Sequence, residues 1–459
     1  MSVSYNPPIV TSGMVLCLDV GNTKSYPGSG ATWTDLSPYG NNCTLVSSPT
    51  YDSANGGSLL YNGSTQYANF TASNLTTTAT VEMWAKLGAS YSGKMIMGWK
   101  DYDIWCNGGT IGYNTANGDV YGLPSATVTT LGCASNWKHY VFEFRSDVSY
   151  TNNKIYINGI MQSLSQQYGS ETVANRSFNS GVGRVAYWTS SGGGAYLMPM
   201  NCSIFKVYNR SLTVAEIFRN FNASCGRYAI PSATTISPLT LSPAIWLDAS
   251  DTSTLYQYNG GPLATPEGTV GYWLDKSGNN YHATQSTTTY RPILKSNAYN
   301  GQSYLLFDGV DDCIDSSGPN ISQPFTFFVV GQSTDTGTSV RQFFDGITGA
   351  RSFFGKTGAD LMRYWSSTHI YSTETTGKLM HYYSGVVNGA STIIYKDALS
   401  YITGNPGANG LGGMRVGGQS SPTAEPWKGP ICELLFFPGV MSDINRNNIQ
   451  TYLAVKWGL

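Results

Sequence analysis

Five residues of this chain could hold a sugar: Tyr187, Trp188, Tyr364, Trp365 and His369. Tyr187-Trp188 is followed by TSSGGGAY, a long, polar, Gly-rich run, and Tyr364-Trp365 by SSTHIY, which contains His369. A sugar site pairs an aromatic face with hydrogen-bonding side chains, and aromatic residues on exposed loops often mark binding. The competing reading is that these rings pack in a core or at a subunit interface. Trp99, Tyr102 and Trp105 form another aromatic cluster, open to both readings.

Other chemistry finds less support. Retaining glycoside hydrolysis needs an acid and a nucleophile facing each other across one bond. Glu82, in the segment VEMW, has no carboxylate two residues away. The histidines at 139, 282, 369 and 381 show no metal-ligand spacing, and no G-x-S-x-G elbow is present. No catalytic residues are expected. Asp308, Asp311 and Asp312 lie close together, and hard cations want several oxygen ligands. The first half carries Asn62-Gly63-Ser64-Thr65-Gln66 at the matching place, without an acid. That favours a turn over a calcium site, so no metal and no cofactor are expected. Eight cysteines stand at 17, 43, 106, 133, 202, 225, 313 and 432, with no CxxC pair to hold zinc. Most read as free core thiols, with disulfides among the six cysteines of the first half as the alternative.

Composition narrows the partners. Net charge is -1 with 12% charged residues, which argues against nucleic acid and against a polybasic membrane patch. Gly (52) and Tyr (32) stand out, with many Ser, Thr and Asn, so the surface is neutral and rich in hydroxyl and amide groups, as on proteins that work outside cells. The start MSVSYNPPIV has neither a basic region nor an apolar stretch of the secretory kind, and no run is apolar enough to span a bilayer. The expectation is a protein made in a host cytoplasm and released by lysis, with a processed precursor as the alternative.

The elements that must position these residues occur twice. Residues 202–217 (CSIFKVYNRSLTVAEI) read as a strand, a turn and a helix start, with Thr213 and Glu216 placed as a capping box. Residues 432–459 repeat the pattern, with Ser442 as candidate cap and Ile449, Tyr452, Leu453, Lys456 and Trp457 on one helix face. Asp19 matches Asp248 at the end of an early strand, and TDLSPYGNN (34–42) matches LDKSGNN (274–280), both tight polar turns. Hairpins are expected at Asn62-Gly63, Asp308-Gly309, Asn158-Gly159 and Asn388-Gly389. Helix is expected only after Leu212 and after Ser442. With 459 residues, the chain is read as two tandem all-β antiparallel sandwiches, jelly rolls with short C-terminal helices. Their boundaries are 1–226 and 244–459, with 227–243 (Pro231, Pro238, Pro243) as a Pro/Ser/Thr linker.

In order, the segments SPYGNN, LLYNGSTQY, VEMW, NWKHYVF, KIYINGI and KVYNRSLTVAEI resemble the laminin-G-like, or concanavalin-A-like, jelly-roll superfamily. WLDKSGNNYHAT, LLFDGVDDCI and YLAVKWGL resemble a variant of it in the second half. The Tyr-Asn-Pro-Pro start and the tandem layout are also similar to structural proteins of marine bacteriophages. The resemblance implies a binding or packing module, and many members bind glycans. Glycosidases on this fold carry Glu-x-Asp-x-Glu on one strand, which is absent here. The leading expectation is therefore a non-enzymatic virion surface protein, a capsid decoration or head-fibre component. Its partners would be other virion proteins of the capsid or tail, and its candidate ligand a host-surface glycan. The alternative is a tail-fibre adhesin or lectin, against which the early start of the first sandwich and the lack of heptads count. A secreted glycosidase is disfavoured by the missing carboxylates.

Overall fold

The computed structural model describes residues 8–99, 102–114, 118–169, 182–188, 196–348, 351–419 and 424–459. The chain divides into two compact units, Met1–Thr234 and Thr235–Leu459. Each is a β-sandwich of one eight-stranded and one nine-stranded antiparallel sheet. No helix among the described residues is long and apolar enough to cross a membrane.

The centre of the first eight-stranded sheet is Pro199–Tyr208, flanked by Thr78–Leu87 and by Met14–Asp19 and Ser58–Asn62. In the second unit Lys428–Pro438 takes its place, flanked by Phe325–Gly331 and by Ile245–Asp248 and Gln302–Asp308. The two central strands and Thr78–Leu87, Met14–Asp19, Phe325–Gly331 and Ile245–Asp248 are buried on both faces, which explains their dense apolar runs, whereas Ser58–Asn62 and Gln302–Asp308 each keep one face more open. In Thr78–Leu87, Val81, Met83 and Ala85 enter the core between the sheets. Trp84 turns the other way, into a separate cluster with Ile204, Phe221 and Tyr228 under the helix Val214–Ser224. Alternation thus places one set of side chains in the sandwich and the other beneath the helix.

That helix starts as the sequence requires. The Thr213 hydroxyl accepts from the Glu216 N–H and the Glu216 carboxylate from the Thr213 N–H, a complete capping box. The second helix, Asp443–Trp457, begins after Ser442 without a side-chain cap and buries Ile449, Leu453 and Trp457. A short helix at Ser125–Thr130 lies outside the expected two.

The C-terminal segment of each unit brings a cation to a buried acid. Arg227 Nη1 donates to Asp19 Oδ1 at 2.6 Å, and Lys456 Nζ to Asp248 Oδ1 at 2.7 Å, so the repeat seen at Asp19 and Asp248 is a clamp at each unit's chain end. Beneath the first helix, Glu82, Lys206 and His139 are fully buried. Burial alone would raise the Glu82 pKa, but Lys206 and His139 outweigh it and hold the carboxyl at about 2. In the second unit Glu433 accepts from Trp246, Tyr452, Lys456 and Trp457. There burial and neighbouring Asp248 win, and the Glu433 pKa is raised.

The Asn-Gly and Asp-Gly turns are of two kinds, set by where the next strand pairs. Asn158-Gly159 is a two-residue hairpin turn with φ of 51° and 80°, joining Ile157 to its partner Ile160. Asn388-Gly389 lies in a longer hairpin between directly paired strands: Gly389 has φ 51° but Asn388 −152°, and a 3₁₀ turn, Gly389–Ser391, lengthens the connection. Asn62-Gly63 and Asp308-Gly309 are not hairpins, because each carries the chain from one sheet to the other. Asn62 Oδ1 accepts the N–H groups of Ser64, Thr65 and Gln66, and Gln66 Oε1 accepts that of Asn62. Asp308 Oδ1 accepts from Val310 and Asp311, and Asp312 Oδ2 from Asp308. These side chains replace the missing ladder bonds at the crossing. The three acids form a cluster that could hold an ion, but Asp308 and Asp312 are already engaged in this turn.

The expected linker begins too early. Tyr228 is buried and stacks on Trp84 at 4.0 Å, so 227–228 belong to the first unit. All eight cysteines are free and buried.

Candidate functional site

The nine-stranded sheet of the second unit ends in four strands: Arg341–Asp345, Phe353–Lys356, Leu361–Trp365 and His369–Thr375. Phe354, Tyr364 and Ile370 point into the core. Their neighbours therefore face outward. Register aligns those neighbours in one row: Asp315 opposite Arg415, then Asp345, Phe353, Trp365 and His369 on successive strands. Phe353 is buried, Trp365 half-buried and His369 exposed, so the row rises out of the sheet towards its edge.

The aromatic part is a ladder. Phe353 and Trp365 stack at 5.4 Å with 14° between planes, and His369 stacks on Tyr371 at 5.6 Å. Arg363 lies over Phe353 at 4.6 Å and Arg351 over Trp365 at 5.5 Å. Each guanidinium is held by an acid. Arg351 makes two bonds to Asp345, of 3.0 and 2.5 Å, and Arg363 Nη2 lies 2.5 Å from Glu425 Oε2. Phe353, Trp365, His369, Arg351, Arg363 and Glu425, with Gln419, line a cleft of about 260 Å³. Partial burial of its ring and the Arg363 charge push the exposed His369 below its usual pKa, so the imidazole is neutral at pH 7. The cleft thus offers flat ring faces, the Glu425 carboxylate and guanidinium donors, all fixed before a ligand arrives. A pyranose presents the complement, an apolar C–H face bordered by hydroxyls.

Trp365 and His369 meet as the sequence reading required, but Tyr364 does not join them. It is fully buried and stacks on Phe327 at 5.8 Å. The pair lies in a strand, not a loop, and adjacent strand residues point to opposite faces. Arg363 shares a strand and a face with Trp365, two residues before it, and could have been read from alternation; Phe353 reaches Trp365 only through strand register, and Arg351 and Glu425 only from loops.

In the first unit the nine-stranded sheet carries a corresponding row: Thr44, Asn69, Arg184, Gly98, Asp103 and Asn114. Arg184 lies over the rings of Tyr67 and Tyr187, 5.1 Å from each, and donates to the Trp188 carbonyl at 3.2 Å. Trp188 meets Tyr196 edge-on at 5.3 Å, and Tyr196 meets Trp105 at 6.0 Å. Tyr187 and Trp188 are half-buried, so Trp188 is not the fully exposed ring expected of a loop tip. The run at 189–195 lies outside the described residues. Trp99 and Tyr102 are core residues packed on Phe144, which leaves Trp105 as that cluster's outward member. Arg184 escaped the sequence reading, although Arg184-Val185 and Arg415-Val416 occupy matching strands.

Neither a family model nor a curated protein matches the chain. Among solved structures, the binding domain of Paraclostridial Mosquitocidal Protein 1 is 11% identical, with 86% of this chain and 92% of that one covered and a TM-score of 0.35. The receptor binding domain of botulinum neurotoxin C/D mosaic serotype is 9% identical, with 96% and 95% covered and a TM-score of 0.33. Domain 4 of an extracellular arabinanase from Geobacillus stearothermophilus, solved with arabinotriose, is 13% identical over 45% of this chain and 98% of its own, with a TM-score of 0.32. Likeness this distant carries no function across, so the function rests on the site.

Proposed function

We propose that the chain is a non-enzymatic carbohydrate-binding protein whose laminin-G-like sandwiches present their nine-stranded sheets to glycans. The observation that carries this is the Phe353–Trp365–His369 ladder set between two locked Arg–carboxylate pairs. Asp345, Glu425 and Asp315, the acids of this face, each lie within hydrogen-bond distance of an arginine. That arrangement suits holding hydroxyl groups more than protonating a leaving group. A glycan array probed with the full chain tests the reading. Binding should be lost from a set of glycans in Trp365→Ala, by about tenfold or more in affinity for a central aromatic anchor. An array with no binding, or one indifferent to this substitution, would refute it.

We place the protein on the exterior of a bacteriophage particle, as a capsid decoration or head-fibre component, with a tail-fibre adhesin as the alternative. The support is the neutral composition, with 12% charged residues, and the resemblance of the sequence to phage structural proteins. Attachment through apolar and hydrogen-bonded contact should resist salt. Mass spectrometry of particles washed in rising salt should find a constant copy number, and absence from particles would overturn the placement.

A further inference from the structure

The two units carry an arginine at the same point of the same sheet, in different electrostatic states. Arg415 lies opposite Asp315 and Arg184 opposite Asn69. Arg415 is fully occupied: Nε and Nη2 each donate to Asp315 at 2.6 Å, and Nη1 to the Gln419 carbonyl at 2.9 Å. Arg184 faces an uncharged amide and, among the described residues, makes no ion pair. Its Nη1 donates to the Trp188 carbonyl, and its buried Nε has no acceptor there. The acid of the same row, Asp103, stands on the strand beyond Gly98, 3.3 and 3.4 Å from the Asn114 amide. A guanidinium cannot shed its charge at any ordinary pH, so Arg184 remains a cation with no counter-charge among the described residues. The tyrosine rings on which it lies fix its plane and add flat apolar surface beside it.

Building on the carbohydrate reading, we propose that the first unit's face takes a carboxylate-bearing sugar, of the sialic or uronic acid type. Arg184 binds the carboxylate through its terminal nitrogens, and the sugar ring lies beside the Tyr67–Tyr187 pair, whose ring centroids are 5.0 Å apart. The second unit's face, with its arginines neutralised, takes uncharged sugar. A planar fork matches a planar carboxylate, and the charge-assisted bonds are about twice as strong as neutral ones.

Isothermal titration of the full chain with sialyllactose, a glucuronate-ended oligosaccharide and lactose tests the assignment and separates the two acid types. An acidic sugar should bind more tightly than lactose and weaken with added salt. Arg184→Gln should weaken acid binding roughly tenfold to a hundredfold and leave lactose unchanged. Asn69→Asp supplies the carboxylate that Asp315 supplies in the other unit, and should cause the same loss while Arg184 stays in place. Asp315→Asn should in turn give the second unit affinity for acid. Acidic sugars that bind no better than lactose, or binding indifferent to both first-unit variants, would overturn the proposal. If lactose still binds through Trp365 in that case, the carbohydrate reading stands; if no sugar binds, both fall.

Discussion

Replacing Glu82 by Gln should cost about 3–5 kcal/mol of stability, the usual penalty for stranding one member of a buried ion pair. Glu82 Oε1 takes a hydrogen bond from Lys206 Nζ at 2.8 Å, and His139 Nε2 lies 3.2 Å from it without the alignment of a hydrogen bond. Oε2 takes Asn220 Nδ2 at 2.6 Å and the Tyr208 hydroxyl at 3.4 Å. Gln keeps the shape and one acceptor but removes the negative charge that faces the Lys206 ammonium, a group at 0% exposure. Such a loss is a large share of a domain's typical 5–15 kcal/mol. A pH series gives an independent measure. The folded carboxyl titrates at about 2 against an ordinary value of 4.5, so its contribution is present above pH 4.5 and lost as pH falls towards 2. Those two and a half units correspond to about 3 kcal/mol. Urea unfolding of wild type, Glu82→Gln and the double variant Glu82→Met/Lys206→Met is the assay. The double variant should recover most of the loss, because a matched apolar pair strands no charge. A single variant within about 1 kcal/mol of wild type, with an unchanged acid limb, would refute the reasoning.

Three further outcomes are expected on the same physical grounds. Thr213→Ala should cost about 1 kcal/mol by removing one arm of the capping box, read by thermal melting of the full chain. Asp312→Asn should raise the melting temperature at pH 8: burial lifts this carboxyl to about 7, so stability falls as pH rises from 4 to 7, and Asn keeps the acceptor for the Asp308 N–H. Tyr364→Ala should cost about 3–5 kcal/mol as a core truncation, whereas Trp365→Ala should cost far less, since its ring is half-buried. Equal losses would mean that the two rings do not face opposite sides.

Local patterns carried much of the fold. The Thr213–Glu216 box, the buried face of Asp443–Trp457 and the Asn158-Gly159 hairpin depend on residues near one another, and each formed as its sequence requires. The same Asn-Gly dipeptide at 62–63 became a sheet-to-sheet crossing, because Gln66 and the pairing of the next strand decide the outcome. Linker length misled for a similar reason: nothing local in Gly226-Arg227-Tyr228 shows that Tyr228 will stack on Trp84. The site was half legible. Trp365 and His369 stood out as aromatic and polar neighbours, and Arg363, two residues before Trp365 on its strand, was legible from alternation, but Phe353 and Glu425 join them only through strand register and a distant loop. Tyr364 was misassigned with them because an aromatic pair in a strand splits between two faces. The matched arginines could have been found by aligning Arg184-Val185 with Arg415-Val416, which share the sheet position but not the partner acid.

The most direct test of the account is a crystal structure of the full chain with its strongest-binding oligosaccharide. A sugar ring should lie on the outward face of a nine-stranded sheet, against Trp365 and its Arg–carboxylate pairs or against Arg184 beside Tyr67 and Tyr187. A sugar seated at the sheet-to-sheet turns around Asp308 or Asn62, with both faces empty, would contradict it.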